Sequence, residues 1–305
     1  MLVDPAGPAA QEIARLSWVL IAGGAAIFAA VMLLLARAVR REPGAVRPRS
    51  WIVLGGILLP GAVLAALFAF SVPLTPPWRP VPPPGALVVS VTAHMWWWEV
   101  RYPDADGQGG FATANELRIP VGRPVYLALG SRDVIHSFWV PALAGKMDTI
   151  PGRLQHLQLA ADRPGVWRGQ CAEYCGEQHA RMALHVVAQA PDEFDRWRGQ
   201  QARAAASPAT PQQWRGRDLF LANRCDACHV VRGVGAGEPA GHAPDLTHVG
   251  SRLHLGAGTL ANGSAALAQW LAHVQQVKPG ARMPSYGELD RDSIAALAGW
   301  LTSLQ

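Results

Sequence analysis

The stretch Gly169-Gln170-Cys171-Ala172-Glu173-Tyr174-Cys175-Gly176-Glu177-Gln178-His179-Ala180-Arg181-Met182 places several soft metal-binding side chains close together. Its candidate ligands are Cys171, Cys175, His179 and Met182. Thiolate, imidazole and thioether groups together favour copper over magnesium or calcium. His136, in Asp133-Val134-Ile135-His136-Ser137-Phe138-Trp139, is the candidate for a second histidine ligand. The stretch therefore predicts a copper site built on loops that a rigid β-scaffold brings together.

The second cysteine distinguishes this stretch from a mononuclear blue copper site, which takes two histidines, one cysteine and a weak axial methionine. Cys171 and Cys175 can each bridge two metal ions, so the extra thiolate indicates a binuclear centre. The alternative is that the four cysteines of the chain form two disulfides. They come as two close pairs, each with histidine and methionine further along the chain, which favours metal and haem chemistry.

Short β-branched runs around this stretch predict one all-β domain over 86–195. The runs are 87–93, 117–121, 125–129 and 185–188, separated by Gly, Pro and Asp turns. Such spacing is typical of an antiparallel sandwich or barrel. The proline-rich segment 76–85, a semi-rigid extended spacer, separates this domain from the residues before it.

The C-terminal region, 212–305, follows a small-residue linker at 196–211. It contains Cys225-Asp226-Ala227-Cys228-His229, the attachment signature of c-type haem. Two thiols at this spacing can form thioethers while the adjacent imidazole ligates the iron. A thioredoxin-like redox pair or a zinc half-site would be the alternatives. Neither requires the histidine, and the sequence has no further cysteine pair nearby to complete a zinc site.

A second axial ligand for this haem is expected from Met283, the only methionine after Met182. It lies in the loop sequence Lys278-Pro279-Gly280-Ala281-Arg282-Met283-Pro284. The histidines that could replace it are His242, His248, His254 and His273, none of which lies in a comparable loop. Methionine and histidine ligation together raise the haem potential relative to two histidines.

Two uncharged runs predict a transmembrane helical hairpin within 1–75, with spans at about 16–36 and 51–74. Each is long enough to cross a hydrocarbon core of roughly 30 Å, and Pro60 is tolerated inside a membrane helix. The connecting loop carries five arginines against one acid, Glu42, so the positive-inside rule places it in the cytoplasm and both termini outside.

A cleaved signal peptide is the alternative for the first run. Its long apolar core, the leading acids Asp4 and Glu12 and the lack of a small-residue cleavage site favour a retained helix.

Composition agrees with a membrane-anchored protein of two or three domains. The chain has 305 residues, half of them hydrophobic and 16% charged. Its net charge of +5 comes almost wholly from arginine, because Lys146 and Lys278 are the only lysines. The sequence has no lysine-rich run or basic helix, so we expect no nucleic-acid partner.

The pattern His136 … Cys171-x-Glu173-x-Cys175-x3-His179-x2-Met182 resembles the dinuclear copper (CuA) site of cytochrome c oxidase subunit II. The resemblance includes the two apolar runs and the segments Ala93-His94-Met95-Trp96-Trp97-Trp98, Val140-Pro141, Lys146-Met147-Asp148 and Pro151-Gly152-Arg153. The C-terminal region resembles a class I cytochrome c through its haem motif, the loop methionine and the closing segment 292–304. The implied fold is a two-helix transmembrane hairpin, an all-β cupredoxin-like sandwich and an all-α cytochrome c domain.

The resemblance implies a role for each site residue. Cys171 and Cys175 would bridge two coppers, His136 and His179 would each terminate one, Met182 would be a weak axial ligand, and Glu173 would contribute its backbone carbonyl. The Glu173 carboxylate would lean toward a magnesium site shared with subunit I. Trp96, on an expected aromatic strand, would be the residue through which electrons enter. The chain departs from the usual pattern at Trp97, where tyrosine is common.

The implied function is that of subunit II of a bacterial aa3-like cytochrome c oxidase. Electrons would pass from its own covalent haem c, held by Cys225, Cys228, His229 and Met283, to the copper centre and on to the haem of subunit I. Oxygen reduction to water and proton pumping would occur in subunit I, since this chain has no ligand set for that chemistry. The implied partners are subunits I and III, membrane lipid, and an external cytochrome c or upstream respiratory complex as donor.

The implied location is the bacterial inner membrane, multi-pass, with both soluble domains on the periplasmic side. Two alternatives remain open: the CuA-containing subunit of a nitric oxide reductase, and a membrane-tethered copper carrier. A carrier would favour exposed, exchangeable ligands and has no use for a covalent haem. Nitrous oxide reductase shares the copper loop, but the histidine-rich catalytic domain that it needs is absent from this sequence.

Overall fold

The structure is a computed structural model that describes residues 4–40, 47–74, 82–104, 110–235 and 243–305. Its contacts divide the chain into two compact units, Met1–Pro5 with Ala10–Val81, and Ala6–Ala9 with Pro82–Gln305. Three features of the sequence lie outside the described residues: Glu42 with its neighbour Arg41, most of the proline-rich spacer, and His242.

The first unit consists of two long helices. The helix α1 spans Pro8–Arg40 and α2 spans Pro48–Leu74, and both are long and apolar enough to cross a membrane. Within α2, a π-helical stretch at Ile52–Leu58 precedes Pro60. Proline has no amide hydrogen to donate, and a change of helical hydrogen bonding beside it is a common accommodation. The helices extend beyond the uncharged runs at 16–36 and 51–74.

The second unit begins with a sandwich of two five-stranded sheets. The strands are β1 Leu87–His94, β2 Trp97–Tyr102, β3 Phe111–Ala114, β4 Glu116–Pro120, β5 Val125–Ser131, β6 His136–Trp139, β7 Met147–Thr149, β8 Gln155–Leu159, β9 Gly165–Cys171 and β10 Ala183–Gln189. One sheet has the order β3-β2-β1-β5-β8 and the other β4-β10-β9-β6-β7. Because residue patterns do not record strand direction, the sequence missed two parallel pairs, β1 with β5 and β4 with β10.

The sandwich core follows from alternation along the strands. On β1, Val89, Val91 and Ala93 are fully buried while the residues between them are partly or fully exposed, as a strand with one face on the core requires. Trp98 and Tyr102 on β2 join them. The Tyr102 hydroxyl donates to the Arg118 carbonyl at 2.8 Å, so its polar tip is satisfied inside the core.

A short helix, α3 at Pro191–Gln201, closes the sandwich and extends into the segment 196–211 where a linker is expected. Pro191 begins it with a pre-set backbone angle. Phe194 and Trp197, three residues apart on one helix face, pack into the sandwich core, which explains why the helix continues past 196.

The C-terminal domain is helical, as expected. Its helices are α4 Pro211–Ala222, α5 Ser264–Val277 and α6 Arg291–Ser303, and a small hairpin, β11 His254–Leu255 with β12 Leu260–Ala261, precedes α5. The Asp290 side chain caps α6 by accepting from the Ser293 amide at 2.8 Å. Phe220 of α4 packs edge-on against Trp300 of α6, with ring centroids 5.1 Å apart. The helices thus have a core of their own beside the sandwich.

Candidate metal centre and haem-binding cavity

The predicted copper ligands converge at one end of the sandwich. His136 begins β6, Cys171 ends β9, and the loop from 172 to 182 returns the chain to β10. Cys171 Sγ lies 3.8 Å from Cys175 Sγ and 3.9 Å from His136 Nδ1. Cys175 Sγ lies 3.6 Å from His179 Nδ1 and 3.9 Å from Met182 Sδ. Such separations suit donor atoms that share ions at bond lengths of about 2.0–2.3 Å.

Four of these ligands are enclosed by protein, whereas His179 is partly exposed. His136 and Met182 have no exposed surface, and Cys171 and Cys175 are each 4% exposed. The sixth predicted group, the Glu173 carbonyl oxygen, lies 3.2 Å from Cys171 Sγ. The donor set of two thiolates, two imidazoles, a thioether and a carbonyl therefore fits a soft-metal centre with two bridging sulfurs.

Backbone hydrogen bonds hold the loop that carries these ligands. The Cys171 amide donates to the Met182 carbonyl at 2.9 Å and closes the base of the loop. The Ala172 amide donates to the Ser137 carbonyl at 2.9 Å and ties the loop to β6, next to His136. These bonds explain how ligands distant in sequence keep one arrangement.

Asp133, which the sequence analysis did not single out, fixes the orientation of His136. Its carboxylate Oδ1 lies 2.8 Å from His136 Nε2, so that Nε2 donates and Nδ1 faces the sulfurs. The other carboxylate oxygen accepts from the Met95 amide at 2.8 Å. Its place three residues before a ligand histidine is the signal that could have revealed it.

The two thiols interact strongly with each other. The hydrogen bond from Cys175 lowers the pKa of the Cys171 thiol far below its ordinary value, with a smaller contribution from His136. The same contact raises the pKa of Cys175. One sulfur is thus readily a thiolate, the form that binds metal.

The Glu173 carboxylate is partly exposed and lies 3.9 Å from Lys146 Nζ. Lys146 also contacts Asp148 at 3.3 Å. The side chain is therefore free of the copper ligands and accessible at the surface, and its part in a magnesium site remains a prediction.

The C-terminal domain contains a cavity of about 430 Å³ lined by Cys225, Cys228, His229 and Met283. Most of its remaining wall is apolar; it includes Phe220, Leu246, Leu267, Leu271, Leu297 and Leu301. No disulfide joins any of the four cysteines of the chain. A largely apolar cavity lined by two free thiols and an imidazole fits a haem.

The histidine of this cavity is oriented to bind a metal. His229 Nδ1 lies 2.7 Å from the Pro244 carbonyl oxygen, so Nδ1 donates there and Nε2 keeps its lone pair. Burial lowers the pKa of His229, which favours the neutral ring that ligates iron. Burial also raises the pKa of Cys225 to about 11.

Met283 reaches the cavity from a loop between α5 and α6. The Gln275 side chain holds this loop by donating to the Ala281 carbonyl at 2.7 Å and to the Met283 carbonyl at 2.8 Å. Among the alternative histidines, His248 has carbonyl oxygens within 3.0 Å of both ring nitrogens. His254 also lines the cavity, but its ring is stacked on His185.

Trp96 lies between the two sites. The expected aromatic strand is interrupted, because β1 ends at His94 and β2 begins at Trp97, and a turn places Trp96 at the end of the sandwich. Its Nε1 donates to the Cys175 carbonyl at 2.8 Å. The same residue lines the cavity that contains Cys228 and Met283.

Polar and aromatic contacts join the sandwich to the helical domain. The Leu253 amide donates to the Glu116 carboxylate at 2.8 Å. His185 of β10 stacks on His254 of β11, with centroids 4.0 Å apart and planes inclined by 7°. The cavity and the metal-ligand cluster thus belong to one compact unit.

This fold and these two sites define a membrane-anchored protein with a cupredoxin-like metal domain and a c-type cytochrome domain. The family model for the periplasmic domain of cytochrome c oxidase subunit II matches residues 107–189, and that for cytochrome c matches residues 214–305. Cytochrome c oxidase subunit 2 of Alkalihalophilus pseudofirmus is 34% identical over 99% of this chain and 90% of its own length. That of Bacillus sp. strain PS3 is 36% identical over 72% of this chain and 62% of its own.

The chain belongs to the cytochrome c oxidase subunit II family. A crystal structure of the periplasmic domain of subunit II of cytochrome oxidase from Bradyrhizobium japonicum is also similar. It is 31% identical and covers 39% of this chain and 95% of that one, with a TM-score of 0.36.

Family membership confirms the resemblance and the fold class predicted from the sequence. It implies copper in the sandwich domain and haem in the helical domain. The chain is therefore a component of an oxidoreductase. The ligand assignments and the domain boundaries stay predictions.

Proposed function

We propose that this chain is the electron-transfer subunit of an aa3-like bacterial oxidase. It accepts electrons at its own haem c, passes them to a dinuclear copper centre, and delivers them to the haem of subunit I. Oxygen reduction to water and proton pumping take place in subunit I. The observation that carries this proposal is the position of Trp96. Its side chain donates a hydrogen bond to the Cys175 carbonyl and also lines the haem-binding cavity.

The copper pair and the haem, when bound, each take up and release one electron. The residues of this chain supply a fixed surrounding for that step. Cys171 and Cys175 would hold both coppers, and His136 and His179 would each hold one. Met182 and the Glu173 carbonyl would be weak ligands. The short contacts among these atoms, and the hydrogen bonds that close their loop, keep ligand movement small in either charge state.

The helical domain would hold its haem by covalent and coordinate bonds. Cys225 and Cys228 would each supply a thiol for a thioether bond to one vinyl group of the haem. His229 would ligate the iron through the free Nε2 that its hydrogen bond to Pro244 leaves. Met283 would be the second ligand, presented by the loop that Gln275 holds beside the cavity.

Family membership and the charges beside the apolar helices support the location and partners that we propose. Arginines flank the apolar helices on the side of their connecting loop, which supports a periplasmic position for both soluble domains. Subunits I and III are the membrane partners, and Glu173 contributes to a magnesium site shared with subunit I. An external cytochrome c or an upstream respiratory complex reduces the haem.

A copper carrier would need ligands that exchange readily with a second protein. Complete burial of His136 and Met182 argues against that role, as does the haem cavity beside them.

The test is purification of the chain with its large membrane subunit, followed by assays with oxygen and with nitric oxide. We expect covalent haem on a denaturing gel, a near-infrared band from the mixed-valence copper pair, and oxygen consumption. Consumption of nitric oxide alone would identify a nitric oxide reductase instead. Absence of the near-infrared band in a copper-loaded complex would contradict the dinuclear centre.

A further inference from the structure

Lys278 is a buried cation at the junction between the copper-ligand loop (172–182) and the haem-binding cavity. It directly follows α5 and is 4% exposed. Its Nζ donates to three backbone carbonyls, those of Trp96 at 2.7 Å, Arg181 at 3.0 Å and Gly256 at 3.0 Å. The first two belong to the sandwich domain and the third to the helical domain. One side chain thus joins three separate segments.

The buried position of Lys278 disfavours a charged side chain. Among the described residues, the hydrogen-bond partners of its Nζ are backbone carbonyls and none is a carboxylate, although burying an ammonium group normally requires a counter-charge. Burial is the main reason why the pKa of Lys278 is lowered to about 7, and the nearby Arg181 lowers it further. The negative charge of a Cys175 thiolate acts in the opposite direction. A hydrocarbon side chain could fill the same space without the cost of burying a charge. The contribution of lysine at this position is therefore its three hydrogen bonds.

Neighbouring bonds run across the same junction. The Arg181 guanidinium donates to the carbonyl of Val277 at 2.8 Å, while the Arg181 carbonyl accepts from the next residue, Lys278. The Ala183 amide donates at 3.0 Å to the carbonyl of Ala257, which directly follows Gly256. These bonds surround Lys278 and couple the end of the copper-ligand loop to the cavity wall.

We propose that Lys278 is a positioning residue that holds Trp96 between the copper-ligand loop and the haem-binding cavity. This inference rests on the proposed function, because it concerns the path between the two centres. Lys278 touches none of the predicted metal or haem ligands in the bonds described. Its role is to fix the carbonyls of Trp96, Arg181 and Gly256 around one point.

Removing the ammonium group takes the donor from the carbonyls of Trp96 and Arg181 inside this junction. The Gly256 carbonyl still accepts from the Thr259 hydroxyl at 2.7 Å. The junction then opens more readily, because unsatisfied buried acceptors disfavour the closed state. The ligands of both centres are untouched, so their spectra stay the same. The substitution instead changes how often the junction opens and how fast an electron crosses it.

The test compares Lys278→Met with Arg196→Met in the complete oxidase. Arg196 is an exposed cation on α3 whose ion pair with Asp192 is also exposed, so this variant controls for loss of a positive charge. The first measurement is hydrogen exchange at the Ala183 amide. In Lys278→Met we expect exchange to be about tenfold faster, the change equivalent to ~1.4 kcal/mol of opening free energy.

The second measurement is single-turnover electron transfer from the haem to copper. We expect it to be slower in Lys278→Met, with the near-infrared copper band and the haem spectrum unchanged and Arg196→Met like the wild type. Unchanged exchange and an unchanged rate in Lys278→Met would overturn the proposal. If that variant does not assemble, Lys278→Leu, which also removes the donor but is shorter, is measured instead, and wild-type exchange in it overturns the proposal equally.

The two proposals fail in different ways. If the wild-type complex shows no transfer from haem to copper, the proposed function is wrong, whatever Lys278 does to hydrogen exchange. If the wild type transfers electrons and Lys278→Met matches it in both measurements, only the positioning role is wrong.

Discussion

At the scale of single residues, the copper-ligand cluster depends on a carboxylate that is not itself a ligand. Asp133 accepts from His136 Nε2 and from the Met95 amide, and so fixes a ring whose other nitrogen faces Cys171. Such partners of a ligating histidine set its tautomer and raise its basicity. The ability of the site to bind metal therefore depends on Asp133, a residue outside the ligand motif.

We expect Asp133→Asn to bind copper roughly 10–100-fold more weakly, because the histidine loses a charged acceptor. Competition with a calibrated chelator measures this affinity. Asp192→Asn, a change at an exposed carboxylate on α3, is the control and should match the wild type. Equal copper affinity in the two variants would show that Asp133 does not support the site.

The sequence predicts a site only where its residues lie close together along the chain. The sequence could group Cys171, Cys175, His179 and Met182 as candidate ligands, because four metal-binding side chains in one loop leave a local pattern. Lys278 could not be recognised in this way, because its carbonyl partners lie up to 182 positions away and carbonyls have no side-chain signature. Trp96 was recognised through the family resemblance, but its turn and its contact with the cavity were not.

At the scale of elements, the helical domain depends on the close approach of α4 and α6. Gly216 of α4 packs where an added Cβ would meet the Ala296 carbonyl and come within 2.6 Å of Trp300 Cβ. Both obstacles belong to the helix opposite, so neither can yield without moving α6. Glycine at this position lets the two helices touch.

Gly216→Ala should destabilise the helical domain by about 1–3 kcal/mol, the usual cost of overpacking. Thermal unfolding followed by haem absorbance measures it. Gly199→Ala on α3 is a matched control, since nothing lies within 4 Å of its added Cβ. That substitution should be neutral or stabilise by up to about 1 kcal/mol. A Gly216→Ala protein as stable as the control would contradict the packing described for α4 and α6.

The contact between β10 and β11 should depend on pH. Burial is the main cause that lowers the pKa of His185 from 6.5 to about 4, and His254 and Arg168 lower it further while Glu116 opposes them. Because the packed state binds fewer protons, its stability is complete above pH 6.5 and declines as the pH falls toward 4.

Hydrogen exchange at the Leu253 amide, corrected for the intrinsic effect of pH, should therefore show lost protection between pH 6.5 and 4. His185→Phe keeps a ring to stack on His254 but cannot be protonated, so its protection should vary less across that range. Identical pH profiles in the two proteins would exclude His185 as the cause.

At the scale of the whole molecule, membrane anchor, metal domain and cytochrome domain follow one another along the chain, and this order was predictable from composition and motifs. The contact surface between the cytochrome domain and the sandwich was not predictable from the sequence. That surface depends on single contacts such as Leu253 with Glu116, which combine residues far apart in sequence.

Removing residues after 205 should abolish turnover with an external donor and preserve the near-infrared copper band. The deletion takes away the haem cavity but none of the predicted copper ligands. Oxygen consumption by the truncated complex, compared with that of the full complex at the same copper content, measures the loss. Full activity would show that the cytochrome domain is dispensable.

The position of Trp96 against its own cytochrome domain has a kinetic consequence. A donor on the same chain is present at an effective concentration that dilution of the protein cannot change. Under the proposed function, reduction of the copper centre is therefore unimolecular, and its rate is independent of how much mobile carrier surrounds the membrane. Competition among soluble donors then acts only on the outer face of the cytochrome domain, one step earlier.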